Sequence, residues 1–583
     1  MTSAVVGNGS LLATISARGR VERLWWPHPD RAQHLGELRL GFRAAAADDT
    51  RWLDEEPFTW TQEYRGDTGI VRTTARDAEL TIQIEDVVLA DAPVLCRRVS
   101  CEPPGGQLVV QCRPELDERT RALGARVDAP SGALAFYRSP YALALAAAPD
   151  VASGCGGLGR VSGRVYSGLD AAATVACAFA ASPGAAVELA TAALETPFDA
   201  HANARSRADA ARLARAQPPE RGELEPLYRR SLLVFDALAD RETGAVIAAP
   251  ECDADFVHSG GYGFVWPRDL AFLVLAFLAA RRDDLAEAAL RWLPSAQEGS
   301  GLWLQRHWTD ATLAPSWCDH QLDETGAVLF AYEAAWRELR NEELDEALWP
   351  SGRAAADYLV SALDEDGLPP ATADLWEEQE GCHAYTAAAL AAGLAAAAAL
   401  AERHEPAAAD GYAAAAERLR DTLDCRFWSD EHGRYLRAVG DATVDVSLLG
   451  LAWPFRAVDP ASPRMRATAD AVARTLGRPN GGVCRYAGDT YAGGNAWVLA
   501  ALWLGLYRRQ LGDAGGHAAA LEYAQRVATP LGLLPEQVTD DGAPAWVVPL
   551  AWSHAMFVLA ARPELSVVAA RAARPAARAR VPR

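Results

Sequence analysis

"VWPRDLAFLVLAFLAARRDDLAEAALRWL", residues 265–293, places two helices of opposite character side by side. From Leu270 to Ala280 nearly every position is apolar, a pattern a helix in a water-soluble protein holds only when protein surrounds it on all sides. After Arg281 and Arg282 the chain becomes amphipathic. About a dozen helical segments follow one another in this way, starting near residues 224, 267, 283, 321, 344, 382, 406, 442, 461, 494, 515 and 548. Alternate members, such as those near 267 and 382, are the most apolar. The others, such as "EALWPSGRAAADYLVSAL" (346–363) and "PRMRATADAVARTL" (463–476), carry one polar face. This alternation predicts an inner ring of buried helices inside an outer amphipathic ring, an (α/α)6 barrel. A helical-repeat solenoid is the competing architecture, and no fixed repeat length supports it.

Upstream the periodicity is different. From about residue 8 to 195 short β-rich runs such as "GIVRTTARDAELTIQIEDVVL" (69–89), "GQLVVQCRP" (106–114) and "ATVACAFA" (173–180) are separated by Gly, Pro and Asp. The period of two predicts a β-sandwich. "FDAHANARSRADAARLARAQ" (198–217) reads as a connecting helix, and "PPERGE" (218–223) marks a boundary. The expected organisation is a β-sandwich over 1–197, a helical linker over 198–221, an (α/α)6 barrel over 222–565 and a disordered tail over 566–583.

The 583 residues carry a net charge of −21, and all 56 cationic side chains are arginine. Without lysine, phosphate-loop, Schiff-base and kinase-type lysine chemistries are excluded. The acidic balance argues against nucleic acid or an anionic membrane as partner. The ten cysteines form no C-x-x-C pair, and the amino terminus lacks a basic region followed by a long apolar run. A cytoplasmic protein with reduced thiols is expected, with no membrane span and no bound cofactor.

The residues able to do chemistry lie in the loops that lead into the apolar helices. "GGYGFVWPRDLAFLVLAF" (260–277) offers Tyr262, Trp266, Arg268 and Asp269, and "APSWCDHQLDETGAVLF" (314–330) offers Trp317, Gln321 and Asp323. "ADLWEEQEGCHAYTAAALAAG" (373–393) offers Trp376, Glu377 and Glu378, and "CRYAGDTYAGGNAWVLAAL" (484–502) offers Arg485, Asp489, Tyr491, Asn495 and Trp497. Taken alone, each loop reads as capping and packing. Four of them at one rim of a barrel combine flat aromatic faces with Arg and Asp hydrogen-bonding groups, the mixture a sugar ring requires. A further acid, Glu536, sits in "GLLPEQVTDDGAPAWVVPLAWSHAMFVLA" (532–560) before the last apolar helix. Two carboxyls from distant parts of the chain are what glycoside hydrolysis needs, one to protonate the leaving oxygen and one to activate water. The Gly-rich run "SGCGGLGRVSG" (153–163) opens no helix and is discounted as a phosphate loop. Asp253 and Asp255 of "ECDADF" read as a solvated loop rather than a calcium site. The 11 histidines show no metal-ligand spacing.

In this order, "VWPRD", "SWCDHQLD", "DLWEE" with "GCHAYT", "RYAGDTYAGGNAW", and "LLPEQV" with "PLAWSHA" resemble the glucoamylase family, glycoside hydrolase family 15. The opening "GNGSLLATISARGRVERLWWPHPD" (7–30) resembles its bacterial members, which carry an N-terminal β-sandwich. The resemblance implies an inverting exo-acting α-glucosidase that releases β-D-glucose from short isomaltose- or maltose-type oligosaccharides, with Glu377 as general acid and Glu536 as general base. It implies that Arg268 and Asp269, helped by Arg485 and Trp266, hold the innermost glucose. It places Trp317, Glu378 and Asp374 around the cleavage point, and Tyr262 and Tyr491 on the pocket wall, Tyr262 near the water. Trp376 is expected to contact substrate. Gln379 stands where many bacterial relatives have arginine, and Cys318 and Asp319 depart from the fungal pattern, so linkage preference stays open. Trehalose hydrolysis and non-catalytic sugar binding are the alternatives. Glu377 is expected to be held protonated by burial and by the like charge of Glu378, and Glu536 to stay ionised.

Overall fold

A computed structural model of the protein describes residues 4–44, 49–118, 123–149, 152–156, 161–250, 261–318, 320–562 and 565. Asp253, Asp255, Asp319 and the tail 566–583 lie outside the described residues, as do the expectations placed on them.

Two antiparallel sheets of eight strands each fill the amino-terminal region. In the strand Tyr141–Ala148 the side chains alternate between two environments. Leu143 and Leu145 join Phe136, Val110 and Cys112 in the core shared by the two sheets, while Ala142, Ala144 and Ala146 line a second cluster. That second cluster is closed by α1 (Pro183–Glu195), whose Ala186, Val187 and Ala190 lie on the alanine face. Small side chains on both surfaces allow the close approach. The β-rich reading to residue 195 is therefore corrected: the last strand ends at Ala180, and Ser182 caps α1 by accepting the Ala185 N–H at 3.3 Å. At the Gly-rich run the described residues form two paired strands, Ala152–Gly156 and Ser162–Gly168.

Helix α2 (Phe198–Leu213) runs on from α1 and is tied to the sandwich by buried Arg205, which donates to Gly7 O at 2.7 Å and pairs with Asp209 at 2.8 Å. The barrel helices follow as α3 (Glu225–Leu238), α4 (Pro267–Ala280), α5 (Asp283–Trp292), α6 (Leu322–Leu339), α7 (Glu342–Ala362), α8 (Ala384–His404), α9 (Pro406–Thr422), α10 (Pro463–Leu476), α11 (Val498–Gln510), α12 (Ala514–Val527) and α13 (Ala551–Ala561). Between α9 and α10 the expected helix near 442 is a short 3-10 segment, Val446–Leu451. It is pinned between neighbours: a Cβ added at Gly450 would meet the Tyr385 ring at 2.6 Å. Pro454, shortly beyond it, cannot supply the amide that a longer helix would use.

Helices α4, α6, α8, the 3-10 segment, α11 and α13 touch in that order, and α13 returns to α4, closing the inner ring. All fourteen residues of α4 are buried, against four of ten in α5 of the outer ring. At the α6–α8 contact two glycines face each other: a Cβ on Gly326 would lie 2.6 Å from the backbone of Ala389, and one on Gly393 would lie 2.6 Å from Gly326 O. Among the described residues α8 alone is long and apolar enough to cross a membrane, and 89% of its most apolar window is buried inside the barrel. Outer helix α3 is unusually buried because the sandwich covers it. Arg230 reaches across to donate to Thr68 O at 3.0 Å, with its guanidinium 3.6 Å from the Tyr64 ring centroid.

Candidate active site

Successive inner helices are separated by an outer one that runs back, so the inner helices are parallel and the loops preceding them gather at one end of the barrel. The five loops singled out from sequence all precede inner helices. They enclose a pocket of about 230 Å³.

Its floor is the first turn of α4. Arg268 is 3% exposed, with Nη1 3.2 Å from Asp323 and 3.5 Å from Glu324, Nε 3.6 Å from Asp269 and Nη2 3.6 Å from Glu377. One guanidinium cannot neutralise four buried carboxyls, so protons must do part of that work. Burial pushes the Asp269 carboxyl up to about 7, with Arg268 opposing, and raises Asp323 and, more strongly, Glu324.

Glu377 stands in a turn made by Asp374. The Glu377 N–H donates to Asp374 O at 3.0 Å, and the Asp374 side chain accepts the N–H groups of Glu378 at 2.8 Å and Gln379 at 3.1 Å. Glu377 itself is left-handed, with φ 64°, a conformation a non-glycine residue keeps only where its surroundings enforce it. The turn aims its carboxyl at Trp266, whose Nε1 donates to Oε1 at 2.7 Å. Trp317 donates to Glu377 O at 3.3 Å. Burial raises the Glu377 carboxyl, and Arg268, Trp266 and Arg306 oppose it. The expected repulsion from Glu378 is corrected: that side chain turns away to Arg485 Nη2 at 2.9 Å and to the Tyr486 hydroxyl.

Glu536 arrives from the opposite side, 1% exposed. Tyr262 donates to its Oε1 at 2.5 Å and Gln537 Nε2 to its Oε2 at 3.0 Å. Burial outweighs these donors and Arg485 and pushes the carboxyl up to about 7, so Glu536 is not the fully ionised group expected at neutral pH. Arg485 is clamped by Asp489 at 2.7 Å and ringed by Trp376, Tyr491 and Trp497, each centroid 4.7 to 5.3 Å away. Trp376 donates to Asp445 at 3.0 Å.

Every residue assigned from sequence to catalysis or to substrate lines this pocket except Asp374, which lies behind the wall as the cap of the Glu377 turn; of the other residues those loops offered, Trp497 lines it and Gln321, Asp323, Asp489 and Asn495 do not. Leu550, Trp552 and Leu375 line it and were not selected. Position in the helix would have found two of them. Leu550 is the residue immediately before α13, as Trp266 is before α4 and Trp497 before α11, and Trp552 occupies in α13 the place that Arg268 has in α4. Arg306, stacked 4.3 Å over Trp317 and 5.4 Å from Trp266, also had no local signal.

Paired acids at the mouth of an (α/α)6 barrel behind a β-sandwich define a class of architecture, and the comparisons make it specific. Residues 225–524 match the family Glycosyl hydrolases family 15. The chain belongs to that family. It is 30% identical over 357 residues to an uncharacterized glycosyl hydrolase of Methanocaldococcus jannaschii, covering 58% of this chain and 56% of the relative. It is 31% identical over 259 residues to the isomaltose glucohydrolase of Kribbella flavida, covering 42% of this chain and 64% of the relative. In each case less than two thirds of the relative's length is spanned. A bacterial glucoamylase complexed with acarbose shares the fold over 98% of this chain and 96% of its own, with a TM-score of 0.84 at 20% identity.

Proposed function

We propose that this chain is an inverting, exo-acting α-glucosidase of glucoamylase type, cleaving short isomaltose- or maltose-type oligosaccharides from the non-reducing end to release β-D-glucose. One observation carries the reading: two glutamates from loops far apart in the chain, Glu377 and Glu536, enter one aromatic-walled pocket in different hydrogen-bonding surroundings.

Glu377, raised by burial, serves as the acid that protonates the glycosidic oxygen. Glu536, once ionised, takes a proton from water on the opposite face of the ring, with Tyr262 holding its Oε1. Inverting glycosidases in general hold their two carboxyls roughly 6.5 to 9.5 Å apart, leaving room for that water. Arg268, Asp269 and Arg485 present hydrogen-bonding groups to the hydroxyls of the innermost sugar, between the faces of Trp376, Trp497 and Trp552. At about 230 Å³ the pocket is smaller than sites for drug-sized ligands, about 300 to 1,000 Å³, which suits a chain end rather than the middle of a polymer. The likeness to an isomaltose glucohydrolase supports a short substrate.

Proton NMR of fresh digests of maltose, isomaltose, their trimers and trehalose tests the proposal. Initial β-glucose from one α-linked disaccharide supports it. Initial α-glucose would reject the inverting mechanism, β-glucose from trehalose alone would reassign the substrate, and no glucose from any of them would reject the activity.

A further inference from the structure

Glu536 stands at the end of a small hairpin in which Gln537 and Val538 pair with Ala545 and Pro544. One residue beyond the pair Gln537–Ala545, the two arms carry Glu536 and Trp546, and the Glu536 N–H donates to Val547 O at 3.0 Å. Trp546 has φ 63°, so this non-glycine residue is held in a left-handed turn. The turn directs its indole to Tyr491, where Nε1 donates to the hydroxyl at 2.9 Å. The Tyr491 hydroxyl is 3.1 Å from that of Tyr262, and Tyr262 donates to Glu536 at 2.5 Å. The two arms of the hairpin are thus joined a second time, through tyrosines from two other loops.

Donor inventory gives this ring a direction. An indole N–H can only donate, and each phenol has one proton. The Tyr262 O–H points to Glu536, so the Tyr262 oxygen accepts from Tyr491, and the Tyr491 oxygen in turn accepts from Trp546. Aligned donors polarise one another toward the final acceptor. Packing alone does not require a tryptophan here: the ring meets Tyr491 edge-on, with centroids 5.6 Å apart, a contact that phenylalanine can also make.

We infer that Trp546, which stands outside the pocket wall, is a positioning residue whose indole N–H sets the direction of the Tyr491–Tyr262 chain and so keeps the Tyr262 O–H donating to the Glu536 carboxylate. This rests on the reading of Glu536 as the general base. The titratable and charged groups facing Glu536 are Tyr262, Tyr491, Arg485 and Asp269, and of these the one that Trp546 hydrogen-bonds is Tyr491, so a change at Trp546 reaches Glu536 through that hydroxyl.

The test is the titration of Glu536 itself, followed by carbon NMR of the full-length protein labelled at the glutamate side-chain carboxyls, its resonance assigned by its loss in Glu536→Gln. In Trp546→Phe the midpoint, about 7 in the native protein, is expected to move upward by roughly half a pH unit. The acidic limb of the kcat profile should rise with it, while KM changes by less than about two-fold. Tyr491→Phe cuts the same chain one link later and should give the same upward shift even if Trp546→Phe folds poorly. Adding Trp546→Phe to Tyr491→Phe should add nothing. An unmoved midpoint in either single variant, or shifts that add in the double variant, would overturn the inference. The titration needs no substrate, so it can be read even if the proposed hydrolysis fails. An active enzyme with an unmoved midpoint would remove only the role of Trp546.

Discussion

Trp266 donates its indole N–H to Glu377 at 2.7 Å from the position immediately before α4, so the helix that supplies Arg268 to the pocket floor also orients the proposed acid. This bond favours the ionised carboxylate. In Trp266→Phe the Glu377 carboxyl should therefore rise further. Because the acid acts in its protonated form, the basic limb of kcat/KM should move to higher pH, with a loss of about ten-fold at the optimum from poorer aim. A full pH profile on the best disaccharide checks both the direction and the loss.

Glu377→Gln and Glu536→Gln should each lower kcat by about two to four orders of magnitude while leaving the far-UV circular dichroism unchanged. Near-native turnover in either would remove that residue from its role.

Glu536 also ties stability to pH. Its carboxyl is raised from 4.5 in the unfolded reference to about 7, so the folded chain binds the proton more tightly than the unfolded chain does. The stability this contributes is complete below the unfolded value and is lost as pH rises through about 7. Glu536→Gln, neutral throughout, should match the native protein near pH 4 and exceed it above pH 8 by up to about 3 kcal/mol. Denaturant titrations at the two values decide it; a gap that fails to widen with pH would contradict the assignment.

Gly326→Ala should destabilise the barrel by about 1 to 3 kcal/mol, because the added methyl meets the Ala389 backbone rather than a side chain that can swing aside. Alanine is otherwise the better helix former, so a rise in Tm would show that the α6–α8 contact relaxes.

The barrel was legible because inner and outer helices differ in composition along their whole length. The junction at Arg281 and Arg282 separates α4 from α5 in sequence as it does in space. Helix α1 was not legible as such, since a run of alanines beside strands satisfies both periods until the Ser182 cap is weighed. The pocket could be read where its residues fall in loops before apolar helices. Trp552 escaped because it lies inside a helix, and Asp374 was misplaced because its carboxylate shapes the Glu377 turn instead of facing the cavity. The raised carboxyl of Glu536 follows from burial by segments hundreds of residues away, and no local pattern records it. The family match also ends at residue 524, ahead of Glu536, so the second acid rests on its own geometry.

The parallel setting of the inner helices has an electrostatic consequence. Each α-helix carries roughly half a positive elementary charge at its amino end. In this barrel those ends converge on the mouth where Asp269, Glu377, Glu378 and Glu536 gather. Had the same helices run in the opposite sense, their carbonyl ends would face the acids and drive every one of them toward protonation. The winding of the barrel thus leaves a base able to ionise among so many carboxyls in a chain that contains no lysine.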